Sequence, residues 1–422
     1  MLRNSIVILS LLLAVNSQAE TLEDAWKVAL EANHQMKAAQ LDSEREELQL
    51  QSAQAEQLPQ LLVNSHYTQF NETPSAKTLI ADKSTQFPMQ QEGSVNAQAM
   101  TSLPLYTSGR ITHGIKSAQA AWQASQAQEQ ITILNLKMQV AENYIAVLRA
   151  EDAMQVVQSH LQSLATHQKD VKNLYEQGVV AKNDVLAADV ELLNAQQMQT
   201  QAKNGLEIAK ARYNQLLSRP LQSPVNLSKP FLPSQSMSLE ELTQQALSQR
   251  PELNMLHEQI NALTEQTQSI KANLLPQIAI QGGYQYQQNR YQAYQGLWMA
   301  NVGVDWKVFD SSVSYKSDAI ERQALAIKEQ REEQLGQIQL QVHQAWLDVN
   351  EAQQRLQVAK QAIAQANENF SVTNDRYQQG LATHTEVIKA EELRTQTYNN
   401  LNNALYDSAL ADLRLKRGIG EF

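Results

Sequence analysis

Cysteine is absent from the 422 residues, which excludes disulfides, thiolate metal sites, a thiol nucleophile and a lipid carried on an N-terminal cysteine. Aromatic residues make up only 6% of the chain and there are 13 glycines. That is lean for two or three globular cores and suits long helices. Basic residues number 34 against 44 acidic ones, a net charge of −10. With no basic cluster to neutralise phosphates, no nucleic-acid partner is expected. The eight histidines are scattered: no His–Glu pair has metal-ligand spacing, no glycine-rich phosphate loop opens a helix, and Gly418-Ile419-Gly420 reads as a tail. His160 and His167, seven apart on a helical pattern, are expected on one solvated face. No enzyme, metal centre or cofactor is expected.

Long apolar runs are missing as well. Ile6 to Val15 is apolar but too short to span a bilayer; with Arg3 before it and Ser17-Gln18-Ala19 after it, residues 1–19 read as a cleaved signal peptide, a retained anchor being the alternative. Nothing else approaches the roughly 18 apolar residues of a transmembrane helix, so any membrane span must be made of strands.

What the chain does have is a duplication. Tyr175-Glu176-Gln177-Gly178-Val179-Val180, leading into Asn183-Asp184, returns 202 positions later as Tyr377-Gln378-Gln379-Gly380-Leu381-Ala382, leading into Thr385-Glu386. Each copy ends one helical pattern at a glycine and begins another a few residues on, as in the tip of an αα-hairpin. Gly178 and Gly380 are the expected left-handed C-caps, and Asn183 and Thr385 the expected N-caps. Thr21-Leu22-Glu23-Asp24 also recurs, as Ser238-Leu239-Glu240-Glu241, and Leu58-Pro59-Gln60 as Leu275-Pro276-Gln277, at an offset of 217. The fall from 217 to 202 means that the second strand loop is shorter by 15 residues. The expected organisation is therefore two repeats. Residues 20–217 hold a helix, strands near 60–70 and 94–105, a long helix over 107–176, a tip over 177–183 and a helix over 184–217. Residues 218–237, with four prolines, form a linker. Residues 238–422 hold a helix, strands near 277–287 and 297–309, a long helix over 312–378, a tip over 379–385 and a helix over 386–417.

The long helices carry a heptad register. Ile133, Leu136, Val140, Asn143, Val147, Ala150, Met154, Val157, Leu161, Leu164, Gln168, Val171 and Tyr175 follow steps of three and four, and positions 202 later, from Leu335 to Tyr377, keep the same register. A rod of this kind must be covered along its length. The face away from the seam is rich in glutamine, at Gln123, Gln126, Gln128 and Gln130, and tolerates water or a polar partner.

The strand segments alternate. Ile278, Ile280, Gly282, Tyr284 and Tyr286 oppose Gln277, Gln281, Gln285 and Gln287; Trp298, Ala300, Val302, Val304, Trp306 and Val308 oppose Asn301, Asp305 and Lys307. Strands of about ten residues, apolar on one face, polar on the other and aromatic towards the ends, fit an outer-membrane β-barrel. A half-buried soluble sheet alternates in the same way, but every helix here already commits its apolar stripe to a coiled-coil seam. Four strands per chain cannot close a barrel and an open edge cannot lie in lipid, so the chain must oligomerise. Two copies would give eight strands and a filled lumen; three would give twelve and room for a duct.

The leader, the duplication, the strand-to-helix turn Leu103-Pro104-Leu105-Tyr106-Thr107-Ser108-Gly109-Arg110 and the two Tyr-x-x-Gly tips together resemble the TolC-type outer-membrane efflux proteins over the whole mature chain. The resemblance implies a mixed α and β fold. Its homotrimer makes one 12-stranded outer-membrane β-barrel, four strands per chain, continuous with a long periplasmic α-helical coiled-coil barrel. It implies export of drugs, metals or secreted proteins through a periplasmic adaptor and an inner-membrane pump. It places Asp184, Glu386, Tyr175 and Tyr377 at the gate, and Gly178, Val179, Val180, Gly380, Leu381 and Ala382 at adaptor-contacting tips. Tyr106, Tyr284, Trp298, Trp306 and Phe309 fall at the interfaces with outer-membrane lipid. Lys389 stands where a second gate carboxylate is expected, and Ala382 where a basic latch residue is. A passive porin and a periplasmic coiled-coil scaffold are the alternatives.

Overall fold

The structure, a computed structural model, describes residues 19–80, 83–229 and 237–422; the expected leader and part of the expected linker lie outside them. The chain forms two compact units. One contains residues up to Ala39, Gln130–Arg250 and Gly336–Phe422; the other contains Gln40–Glu129 and Pro251–Leu335.

The second unit is built on an antiparallel sheet of β1 (Gln60–Gln69), β4 (Gly93–Tyr106), β5 (Gln277–Gln287) and β6 (Gly296–Asp305), in the order β1-β4-β5-β6. The register sorts the side chains by chemistry. Val63, Ala99, Tyr284 and Trp298 form one cross-strand row, and Asn64, Gln98 and Gln285 form a row on the opposite face. Tyr284 and Trp298 pack with ring centroids 5.3 Å apart. The apolar face is bare: Val63 is 68% and Trp298 81% exposed, a surface that requires a cover. Gly283 lets β4 come close, because a Cβ there would strike Ala99 O and Met100.

Three expectations change in this unit. β6 ends at Asp305, so Trp306, Val308 and Phe309 lie beyond it; the Trp306 indole instead donates to Leu274 O at 3.0 Å. The first strand loop, expected as polar loop, contains a hairpin of β2 (Ser75–Ile80) and β3 (Lys83–Pro88). The polar composition of 75–88 hid it, because both faces of this ribbon are wet and neither alternation nor an apolar run marks it. That hairpin occupies the extra residues by which the first loop exceeds the second. The start of the long helix is later than expected, at Arg110: Ser108 and Gly109 take φ of 51° and 89° to turn the chain. Ser108 Oγ then donates to Pro276 O. The first turns of α3 (Arg110–Glu176) lie against α6 (Pro251–Lys271), where His113 Nδ1 meets Glu265 at 2.6 Å and Ser117 Oγ donates to Ala262 O.

In the first unit, α1 (Leu22–Ala32) opens on the expected capping box of Thr21 and Asp24, and α5 (Leu239–Gln249) on that of Ser238 and Glu241. The single expected helix after residue 21 is in fact two. Asn33 is extended (ψ 132°), its Oδ1 accepting from Gln35 N–H and its Nδ2 donating to Leu216 O, and α2 (His34–Ala55) follows. In the second repeat Arg250 breaks the helix at the equivalent place because Pro251 follows it. Val140, Ala141, Tyr144, Val147, Tyr213 and Leu413, with the underside of α1, form the main core. Residues 218–229 are not a loose linker: Arg219 forks onto Glu20 at 3.0 and 2.7 Å, Leu227 is buried, and Tyr144 Oη donates to the carbonyls of Glu20 and Ser228.

Four long helices continue this unit: α3, α4 (Lys182–Leu216), α7 (Ser311–Gln378) and α8 (His384–Ile419). Contacts fix their order. Gln168 on α3 donates to Asp189 on α4; Arg149 on α3 pairs with Asp407 on α8 at 2.6 Å; Arg355 on α7 reaches the same Asp407 at 3.0 Å. The layer therefore runs α4-α3-α8-α7. The heptad seams hold. In the second repeat Ile338, Val342, Ala345, Val349, Ala352, Ala359, Ala366 and Tyr377 are buried, and Gln123, Gln126, Gln128 and Gln130 are exposed. The outer helices keep unpartnered stripes: Leu186, Val190 and Leu193 on α4, Leu340, Leu347 and Val358 on α7.

Candidate functional site

The two tips are close backbone copies. Gly178 (φ 76°) and Gly380 (φ 72°) take the left-handed conformation, and each closes a Schellman motif: Gly178 N–H donates to Tyr175 O and Val179 N–H to Leu174 O, while Gly380 N–H donates to Tyr377 O and Leu381 N–H to Arg376 O. No neighbouring atom lies within 4 Å of a Cβ built on either glycine, so glycine is there for its dihedral angle.

The helix starts that follow differ, and neither expected N-cap is right. The second begins on Thr383 rather than Thr385: Thr383 Oγ1 accepts from Glu386 N–H and the Glu386 carboxylate accepts from Thr383, a complete capping box. The first begins on Ala181 rather than Asn183, and Ala181 has no hydroxyl to cap with. Asp184, equivalent to Glu386, is left with a 3.4 Å contact from Asn183 Nδ2. Hydrogen bonds from Thr383 backbone and side chain hold the Glu386 carboxyl below its ordinary pKa. One of the two equivalent carboxylates is thus an engaged helix start and the other is not.

The tyrosines diverge too. Tyr175 is 43% exposed, whereas Tyr377 is 4% exposed and packs with Val171, Ala188 and Val387. Its hydroxyl has no partner among the described residues, and burial first, then the charges of Asp184 and Asp170, raise its pKa. Of the tip residues, Val179 and Leu381 are exposed, whereas Val180 and Ala382 turn inward onto the Tyr377 cluster.

Sequence reasoning missed the polar centre of this cluster. His160 and His167 are buried, not solvated. His160 Nδ1 meets the Glu391 carboxylate at 3.1 Å, and His167 Nε2 lies 2.8 Å from His384 Nδ1 with the two rings stacked. The available signal was spacing: His160, Leu164, His167 and Val171 advance by four, three and four, the step of a buried stripe.

An open-edged sheet, bare and apolar on one face and lined with amides on the other, in a chain that also carries duplicated helical hairpins, fits a membrane-spanning channel of strands with a helical extension. The chain belongs to the outer membrane efflux protein family, whose profile matches residues 26–219 and 242–421, and its place is the outer membrane. Solved structures share the fold. VceC from Vibrio cholerae is 15% identical with a TM-score of 0.80, over 95% of this chain and 96% of that one. The CmeC outer membrane channel of Campylobacter jejuni is 13% identical with a TM-score of 0.79, over 94% and 85%. The MtrE outer membrane channel of Neisseria gonorrhoeae, in its open state, is 17% identical with a TM-score of 0.76, over 95% and 89%. No curated protein sequence matches the chain.

Proposed function

We propose that three copies of this chain form one export duct: a 12-stranded barrel in the outer membrane, continued by a helical barrel whose tips meet a periplasmic adaptor and, through it, an inner-membrane pump. The observation that carries the reading is the pair of open edges in both layers. The sheet ends on β1 and β6, the helical layer on α4 and α7 with apolar stripes unpartnered. Joining β6 of one copy to β1 of the next satisfies the edges that lipid cannot. Three copies leave a lumen lined by Asn64, His66, Asn96, Gln98, Gln285 and Gln287, wide enough for water and solute.

Such a duct conducts and does not catalyse; an uncharged amide wall discriminates little, so drugs, metals or secreted proteins would be chosen at the pump. Asp184 and Glu386, with Tyr175 and Tyr377, form the constriction, and Val179 and Leu381 beside Gly178 and Gly380 offer the surface on which an adaptor hairpin docks. Cross-linking in detergent should saturate at trimer; saturation at dimer refutes the ring. Deleting the gene should sensitise cells to exported compounds or block secretion, whereas a passive porin's loss would do neither.

A further inference from the structure

We propose that His167 and His384 form a proton-operated latch that clasps the first helical hairpin to the second beside the tips, holding when the imidazoles are neutral and letting go when both are protonated. The proposal adds a regulation to the gate and so rests on the duct reading. It starts from geometry. His167 on α3 and His384 at the start of α8 stack at 5.0 Å with an interplanar angle of 15°, and His167 Nε2 and His384 Nδ1 are 2.8 Å apart. At that distance one nitrogen must donate and the other accept, which requires at least one neutral ring. Tyr377 of α7 covers His167 at 5.1 Å, so three helices meet at this pair.

The surroundings set the direction of the response. His167 is 6% exposed and its Nδ1 has no partner among the described residues, so a charge placed on it is poorly solvated. The charged groups facing the cluster are Asp184 and Glu191 from α4, Glu391 from α8 and Asp170 from α3. Asp189 is engaged by Gln168 and Lys172. Burial lowers the His384 pKa while Asp184 and Glu191 oppose that shift. Burial, then the neighbouring His384, push His167 down to about 4, against a smaller opposing effect of Glu391. The first proton therefore goes to His384, which can still donate to neutral His167. The second creates two stacked cations and ends the bond. Because both pKa values lie below that of a free imidazole, the clasp has its full strength above about pH 6.5 and loses it as pH falls towards about 4. The titration belongs to the pair.

The test uses the full-length protein in lipid. Single-channel conductance of the wild type should rise roughly threefold between about pH 7.5 and about pH 3.5, below the second protonation. The pairs His167→Gln with His384→Gln, and His167→Phe with His384→Leu, should lose that rise; either pair suffices if the other does not fold. A rise that persists in a folded double variant assigns the response to the gate carboxylates and overturns the latch. A second readout does not need conduction. Because the chain has no cysteine, Val179→Cys and Leu381→Cys can carry spin labels, diluted with unlabelled chains. The distance between them should broaden and lengthen on acidification in the wild-type background alone. An unchanged distance refutes the latch even if the channel conducts; a changed distance in a protein that never conducts keeps the latch and removes the duct.

Discussion

Two helices start with nearly the same backbone and different chemistry, which allows one carboxylate to be silenced without being removed. Ala181 has φ −85° and ψ 161°, Thr383 φ −92° and ψ 157°. Threonine therefore fits at 181 with no new strain, and the acidic residue that a capping box needs three positions later, Asp184, is already in place. Ala181→Thr should stabilise the first turn of α4 by about 1 kcal/mol, which slows local opening about fivefold. Hydrogen exchange at the Asp184 and Val185 amides reads this directly. Capping also draws the carboxylate back onto the chain. If Asp184 lines the constriction, cation selectivity, measured from reversal potentials in a salt gradient, should fall towards that of a neutral ring, and block by trivalent cations should weaken. Thr383→Ala is the reciprocal change: it releases Glu386 and should strengthen both while exposing the start of α8 to exchange. If exchange at 184 slows as expected in Ala181→Thr and selectivity does not move, Asp184 does not line the narrowest point.

Three further outcomes are expected. Tyr377→Phe removes a buried hydroxyl that has no partner among the described residues of its own copy; thermal stability of the dissociated chain should hold or rise, since an unsatisfied polar group is lost, and higher conductance in the assembled channel would reveal a partner on the adjacent copy. Gly178→Ala and Gly380→Ala meet no neighbour but are forced into the left-handed region, so each should cost about 1 kcal/mol at the tip. Gly178→Arg, which also projects a charge from the docking surface, should abolish export while trimers remain in the membrane; normal export in that variant would remove the tips from the adaptor interface.

The architecture was legible because its determinants are periodic. A strict register from Ile133 to Val171 and from Leu335 to Tyr377 reports which side of each helix is covered, and alternation along β5 and β6 reports which side of the sheet is apolar. The glycine at each tip was legible for the same reason: only its backbone conformation matters. What could not be read was the divergence between the copies. Thr383 and Thr385 are equally good caps by residue type, and the choice depends on where the αL turn hands the chain on, three residues after Gly380. The histidines were misread because an imidazole satisfied by another imidazole from 217 positions away leaves no local trace. The β2–β3 hairpin was missed because its strands pair only with each other.

That divergence bears on how the constriction works. Each layer ends on one element from each repeat, β1 and α4 from the first and β6 and α7 from the second. A ring closed by identical copies therefore alternates first and second repeats, six similar hairpins in a ring of three chains. Were the repeats chemically equal, six carboxylates would face the axis together and their repulsion would favour opening. Instead the second repeat ties its carboxylate into a capping box, buries its tyrosine and supplies His384, while the first leaves Asp184 and Tyr175 uncommitted. On the proposed duct reading the hairpins would divide the work: one would hold its neighbour in place, and the other would present the charge.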